Sequence, residues 1–304
     1  METNVLYNDD CIFADKYLEK DSVDLFLFSP PYADLRNYGH EDSQVSPDNY
    51  VEWFLPKARV FKELLKDTGS MIININDCVR DRFRHLYVFE LVVALCKEVG
   101  FHLFERTFWD SGCSPPSPKG RFRNTTEYIL WFAKTKDFKF YVDRGRVPYN
   151  KDTIKRYQTL VPVGHTRNLE NEICPICGKQ LICKSGKQIC SSCGFGKQIK
   201  MKKVELNPLG ALPSTLLQIG SESQRVGLHN AVFPISLPNY IIPMVTDIGD
   251  LVVDPFMGLG TTILSAIKLE RGFVGFEIVK SIYDEASERI NPAQQYRESK
   301  EYIF

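Results

Sequence analysis

Charge of one sign is what this 304-residue sequence lacks: 38 lysines and arginines stand against 38 aspartates and glutamates, a formal net charge of zero. No overall basic excess announces a polyanionic partner, so only the distribution of charge can point to one. Long apolar runs are also missing. None approaches the roughly 20 residues of a membrane-spanning helix, and the opening METNVLYNDDC carries no apolar signal core. A cytoplasmic protein with no membrane partner is expected. The five histidines are scattered and make no site. No internal repeat is visible. What is present is 43% apolar residues, ample for one large domain or for one domain with a sizeable insertion.

Apolar runs bounded by turn residues predict strands at NVLYND (4–9), VDLFLF (23–28), GSMIINI (69–75), FHLFERTFW (101–109), EYILWFA (127–133), DLVVDPF (250–256) and GFVGFEI (272–278). Helical periodicity predicts helices over 51–66, 87–99 and 261–269. Strands alternating with helices imply an α/β fold, a doubly wound and mostly parallel sheet. Residues 144–206 break the alternation. They hold 13 Lys/Arg against 4 Asp/Glu, a formal +9, and read as an insertion with its own task.

Near the C-terminus, Asp254, Pro255 and Phe256 lead into a turn carrying Gly258 and Gly260, and a helix starts at Thr261. Glycine lets backbone approach a ligand where a Cβ would clash. Glu277, nineteen positions after Gly258, ends the next strand, where a carboxylate can accept hydrogen bonds from ribose hydroxyls. The pyrophosphate-binding pattern is incomplete, because Ile263 stands where a third glycine belongs. An acidic strand end at Asp254 also suits a cation better than a phosphate. S-adenosylmethionine, which carries an ammonium, a sulfonium and a ribose, fits better than a dinucleotide.

The run VDLFLF stops on Ser29, Pro30, Pro31 and Tyr32. Two prolines rule out both a continuing ladder and a helical turn, so the corner is stiff. With the glycine loop downstream of it, this corner resembles the β-class amino-methyltransferases of DNA, whose catalytic motif precedes the cofactor motif with a target-recognition segment between. The resemblance implies a circularly permuted methyltransferase sheet. Its catalytic half is 1–143, a basic recognition insertion is 144–206, and the cofactor-binding half is 207–304. It places Asp10 of NDDC near the cofactor adenine and Phe233 and Pro234 near its methionine end. The strand region RFRNTTEYILWFAK (121–134) also matches.

In that family Ser29 and the Pro30 carbonyl would each accept an N–H of the target amine, and Tyr32 would offer a flat face to a base swung out of the duplex. Serine at the first motif position favours N4 of cytosine over N6 of adenine. Double-stranded DNA and a companion restriction endonuclease are the implied partners, with RNA left open as substrate. The other reading is a catalytically idle zinc-ribbon nucleic-acid-binding protein. C5-cytosine chemistry would need a Pro-Cys pair, and none occurs. A second Ser-Pro-Pro, at 114–116, follows no apolar strand and precedes no aromatic, and reads as a polar loop. Arg36, Tyr38 and His229 receive no assigned role.

Cys174-x-x-Cys177 and Cys190-x-x-Cys193 have the spacing of a tetrahedral zinc site, with glycines placed for knuckle turns. Four thiolates leave no open position, so the zinc would be structural. Loaded with it, the insertion would keep about +7, a surplus suited to phosphate contacts. Cys183 reads as a packing residue or a spare thiol.

Overall fold

The computed structural model describes residues 1–33, 45–110, 112, 120–158, 161–162, 172–184, 187–199, 201–202, 205–220 and 233–301. Arg36, Tyr38, His229 and the Ser-Pro-Pro at 114–116 lie outside the described residues. The chain forms two compact units, one of 1–145 with 213–304 and one of 146–212.

The larger unit is built on an eight-stranded sheet. In chain order its strands are β1 (Val5–Tyr7), β2 (Val23–Phe28), β3 (Leu65–Ile75), β4 (His102–Asp110), β5 (Thr126–Ala133), β6 (Leu216–Gln218), β7 (Leu251–Asp254) and β8 (Gly272–Phe276). Their spatial order is β1-β8-β7-β2-β3-β5-β4-β6. All neighbouring pairs are parallel except those that β5 makes with β3 and β4. The first and last strands in sequence are partners, with Val5 opposite Val274 and Tyr7 opposite Phe276.

Alternation along β2 explains how the sheet is covered on both faces. Phe26 and Phe28 point into one core, with Phe54 and Phe61 of α1 (Tyr50–Leu64) and residues of α2 (Tyr87–Ala94). Leu25 and Leu27 point into a second core, with residues from α4 (Ser236–Val245), α5 (Thr261–Lys268) and α6 (Lys280–Glu301). A strand buried on both faces reads as a continuous apolar run, as VDLFLF does. Its one charge, Asp24, accepts from the Leu251 N–H at 3.0 Å and pairs with Lys66 at 2.7 Å. No described helix is long and apolar enough to cross a membrane.

The elements expected from sequence are present, with boundary changes that have local causes. DLVVDPF pairs only as far as Asp254, because Pro255 has no N–H for the ladder. The strand before Glu277 ends at Phe276. The helix expected to run to Val99 turns into a single π-helical stretch, Leu95–Val99, closed by Gly100 at φ +80°. Helix α4 was hidden by its prolines: Pro238 sits in the first turn, where no intrahelical donor is lost, and Pro243 near the end.

The smaller unit, 146–212, holds helix α3 (Lys151–Gln158) and a three-stranded antiparallel sheet of Ile182–Lys184, Lys187–Ile189 and Gly196–Gln198.

Candidate active site

Parallel neighbours β7 and β2 pair Val252 with Leu25 and Val253 with Phe26, so they end side by side at one edge of the sheet. The glycine loop leaves β7 there and the Ser29 corner leaves β2. Ligands of open α/β sheets bind outside such carboxyl ends.

On the β2 side the corner is held from behind. Tyr50 donates to the Pro31 carbonyl at 2.8 Å. Ser29 Oγ donates to the Tyr32 hydroxyl at 3.0 Å, and that hydroxyl donates to Glu127 Oε2 at 2.6 Å. Asn74 Nδ2 donates to the same carboxylate oxygen at 3.0 Å, and Asn74 Oδ1 lies 3.2 Å from the Tyr32 hydroxyl. A hydroxyl has one proton and two acceptor sites. With its proton directed at Tyr32, Ser29 Oγ keeps acceptor capacity. The Tyr32 ring is not an open platform, since the residue is only 6% exposed and packs in the first core. Sequence reasoning missed Asn74 and Glu127. A polar Asn interrupting the apolar run MIINI was the available signal for the first.

On the β7 side, Asp254 is 2% exposed and accepts from the Phe256 N–H at 3.0 Å. Burial pushes its carboxyl up to about 7, and the nearby negative charge of Glu277 adds to the rise. The strand end therefore holds a buried carboxyl that a proton or a nearby cation would neutralise. Glu277 accepts from the N–H groups of Gly258 (3.0 Å) and Val279 (2.9 Å). Gly258 has φ +51°, and nothing lies within 4 Å of where a Cβ would stand. Gly260, at φ +77°, serves packing instead, because a Cβ there would meet Ile290 Cδ1 at 2.4 Å. Thr261 Oγ1 is buried without a hydrogen-bond partner among the described residues. Pro255 is buried, and Phe256 packs on Phe28 and Trp53, tying the loop to the β2 side.

The remaining expected residues come to the same edge from two directions. Asp10 follows β1, where its Oδ1 accepts from the Ile12 N–H at 3.0 Å and its Oδ2 lies 3.8 Å from Lys57 Nζ. Asn8 Nδ2 donates to the carbonyls of Glu277 (2.8 Å) and Ile278 (3.2 Å), stitching the two chain ends together. Helices α4 and α5 lie side by side, with Ser265 bonded to Asn239 and Thr246 to Arg271. Phe233 and Pro234, just before α4, are thereby carried to the end where α5 begins.

In the smaller unit the four cysteine sulfurs lie within 4.8 Å of one another. Cys174 and Cys193 are 3.5 Å apart, Cys177 and Cys190 3.4 Å. Each pair sits on a turn closed by glycine, Gly178 at φ +69° and Gly194 at φ +75°. Gly178 N–H bonds to Cys174 O and Gly194 N–H to Cys190 O. Backbone N–H groups of Ser192 and Cys193 lower the Cys190 thiol to about 6. A tetrahedral zinc with sulfurs at about 2.3 Å needs just such a clustered set.

A mostly parallel sheet with one antiparallel strand, and a glycine loop beside a Ser-Pro-Pro corner, define an α/β protein of methyltransferase architecture. The chain belongs to the N6/N4 DNA methylase family, whose model matches residues 23–288. It is thus a member of a family of S-adenosylmethionine-dependent DNA methyltransferases. It is 28% identical over 278 residues to the type II methyltransferase M.PvuII of Proteus hauseri, covering 85% of this chain and 75% of that one. It is 29% identical over 278 residues to the orphan methyltransferase M.BamHII of Bacillus amyloliquefaciens, covering 88% and 89%. Among solved structures, the cytosine-N4-specific PvuII DNA methyltransferase superposes with a TM-score of 0.65 at 21% identity, over 98% of this chain and 93% of that one. TTHA0409 of Thermus thermophilus, complexed with S-adenosyl-L-methionine, gives 0.58 at 19%, over 95% of each. These superpositions establish the shared fold.

Proposed function

We propose that this protein methylates the exocyclic N4 amine of cytosine in double-stranded DNA, on a base extruded from the helix. The observation that carries this reading is the meeting of the Ser29 corner and the glycine loop at the ends of adjacent parallel strands. S-adenosylmethionine supplies an electrophilic methyl group when bound. Residues fitted to hold it are Asp254 for a cationic group, Glu277 for ribose hydroxyls, the open space at Gly258, and Asp10, Phe233, Pro234 and Thr261 around the same edge.

The amine of a base is a poor nucleophile because its lone pair is delocalised into the ring. Ser29 Oγ, its own proton committed to Tyr32, accepts one N–H, and the Pro30 carbonyl accepts the other. This arrangement favours a pyramidal nitrogen with its lone pair directed outward. The prolines and the Tyr50 bond fix these acceptors before substrate arrives, so little reorganisation is left for the reaction itself. Serine at position 29 and the cytosine-N4 specificity of the PvuII enzyme favour cytosine over adenine.

The four-cysteine cluster would hold one structural zinc, and the insertion's positive surplus would engage phosphates in target recognition. A small polar segment of this kind gains its stability from such a metal. The type II relatives favour a companion endonuclease. Incubation with labelled S-adenosylmethionine and plasmid DNA, followed by nucleoside analysis, tests the reading. N4-methylcytosine is expected. N6-methyladenine would correct the base alone, and no label in DNA would leave the idle nucleic-acid-binding protein as the better account.

A further inference from the structure

Two Arg-Phe-Arg triplets occur in the sequence, Arg82-Phe83-Arg84 and Arg121-Phe122-Arg123. They are 39 positions apart, yet Arg121 Nη1 donates to the Arg82 carbonyl at 2.6 Å. Their phenylalanines are the two most exposed large apolar side chains among the described residues, Phe122 at 99% and Phe83 at 77%. Two largely exposed aromatic rings on adjoining arginine-flanked segments, rather than in the core, point to a binding surface.

Topology places both triplets beside the catalytic corner. Strand β3 is parallel to β2, with Phe28 opposite Ile73, so the residues following Ile75 emerge at the same edge as Ser29. Strand β5 is antiparallel to β3, so the residues preceding Thr126 lie there too. Asn124 Nδ2 reaches Asn76 Oδ1 at 3.5 Å across the two segments.

The first triplet sits on a small hairpin whose strands, Val79–Arg80 and Phe83–Arg84, are joined by Asp81 and Arg82. Both turn residues are left-handed, at φ +47° and +71°. A two-residue turn of this kind normally uses Asn-Gly or Asp-Gly. An arginine there stores strain, which is characteristic of functional segments. The hairpin is braced at its base, where Arg80 bonds Asp48 at 2.8 Å, His85 meets Asp48 at 3.0 Å, and Arg84 pairs with buried Asp77. Bracing of this sort keeps a protruding tip rigid.

We propose, resting on the DNA-methylation reading, that Phe83 and Phe122 form an arginine-bordered wedge that stacks on the bases flanking the extruded one. The gap left by a flipped base exposes two base faces, which suit rings already held at the sheet edge. Arg82, on the turn between the hairpin strands, matches a flanking phosphate. Apolar wedges backed by basic side chains are a recurrent means of entering a stacked duplex.

The test uses two synthetic duplexes of identical sequence, one intact and one with an abasic position beside a 2-aminopurine reporter. The abasic duplex presents a ready-made gap, so the measurement needs neither methyl transfer nor a known recognition site. Wild-type protein should bind the abasic duplex about 10-fold more tightly and change the reporter fluorescence. The Phe83→Ala/Phe122→Ala double variant should bind both duplexes alike, with unchanged thermal stability because both rings are exposed. Absence of a wild-type preference, or its retention in the double variant, overturns the wedge.

Arg82→Gly supplies a second arm, since Asp-Gly relaxes the turn. Melting temperature should hold or rise while the affinity for the intact duplex falls and its salt dependence flattens by about one counterion. A lower melting temperature with unchanged affinity would make Arg82 a turn residue only and contradict the proposal. A protein that methylates DNA without preferring the gap refutes the wedge alone. One that prefers the gap without methylating refutes the enzymatic reading alone.

Discussion

Among the carboxyl-bearing residues at the sheet edge, Asp254 makes the sharpest prediction. Its folded value of about 7 lies well above that of an exposed aspartate. The folded state therefore holds the proton more tightly than the unfolded one. Stability in the absence of cofactor falls as pH rises from about 4 to 7 and stays reduced above that. Asp254→Asn removes this cost, so its melting temperature should exceed wild type at pH 8 and match it near pH 4. The stabilisation at pH 8 should be at most about 4 kcal/mol. S-adenosylmethionine affinity should rise with pH through 7 in the wild type, and be weak and flat in the variant. Parallel melting and titration calorimetry check both.

The Tyr32 hydroxyl invites a subtler change. Tyr32→Phe keeps the ring but removes the acceptor for the Ser29 proton, so kcat should fall about 10-fold with little change in the KM for DNA. An equal loss in KM would assign Tyr32 to base capture instead. These roles were only half visible in the sequence. The tetrapeptide announced itself, but Asn74 and Glu127 are 45 and 98 positions from Ser29 and meet it only because β3 and β5 are neighbours.

At the scale of the element, the strands were legible wherever burial on both faces left an uninterrupted apolar run. VDLFLF is matched residue for residue by β2. Helix α4 was not, since Pro238 and Pro243 look like breakers until their places near its two ends are known. Strand β6, three residues long, offered too short a pattern to register. The glycine loop divides its labour between its two glycines, which gives a second pair of variants. Gly258→Ala meets open space and should cost roughly 1–2 kcal/mol from its left-handed backbone, while weakening S-adenosylmethionine binding more than 10-fold. Gly260→Ala adds a clash with Ile290 and should lower stability further. The knuckles yield a third. Cys174→Ser or Cys190→Ser should release zinc and weaken DNA binding, with S-adenosylmethionine affinity unchanged. Metal content by mass spectrometry decides it, and unaltered zinc in both variants would exclude the cluster as its site.

Across the whole molecule, the pairing of β1 with β8 brings the two chain ends to one sheet edge, and Asn8 and Glu277 are joined there although 269 positions apart. That closure follows from the circular permutation that the resemblance implies, and it is present in the sheet. The charge follows a different division. The zero net charge conceals +9 in residues 144–206 and therefore −9 elsewhere. If the basic segment carries the phosphate contacts, DNA affinity should fall by about 10³-fold or more between 50 and 200 mM salt, as for six or more contacts. S-adenosylmethionine affinity, set by the buried edge, should barely respond. Filter binding and calorimetry over that salt range separate the two.

The claim on which the account stands is that Ser29 shapes the reacting amine rather than merely forming a turn. Single-turnover methyl transfer by the Ser29→Ala variant, at saturating DNA and S-adenosylmethionine, measures that directly. One lost acceptor at a preorganised site should slow the transfer step by about 10²-fold, with both affinities within twofold of wild type. An unchanged single-turnover rate would contradict the account and leave the Pro30 carbonyl to act alone.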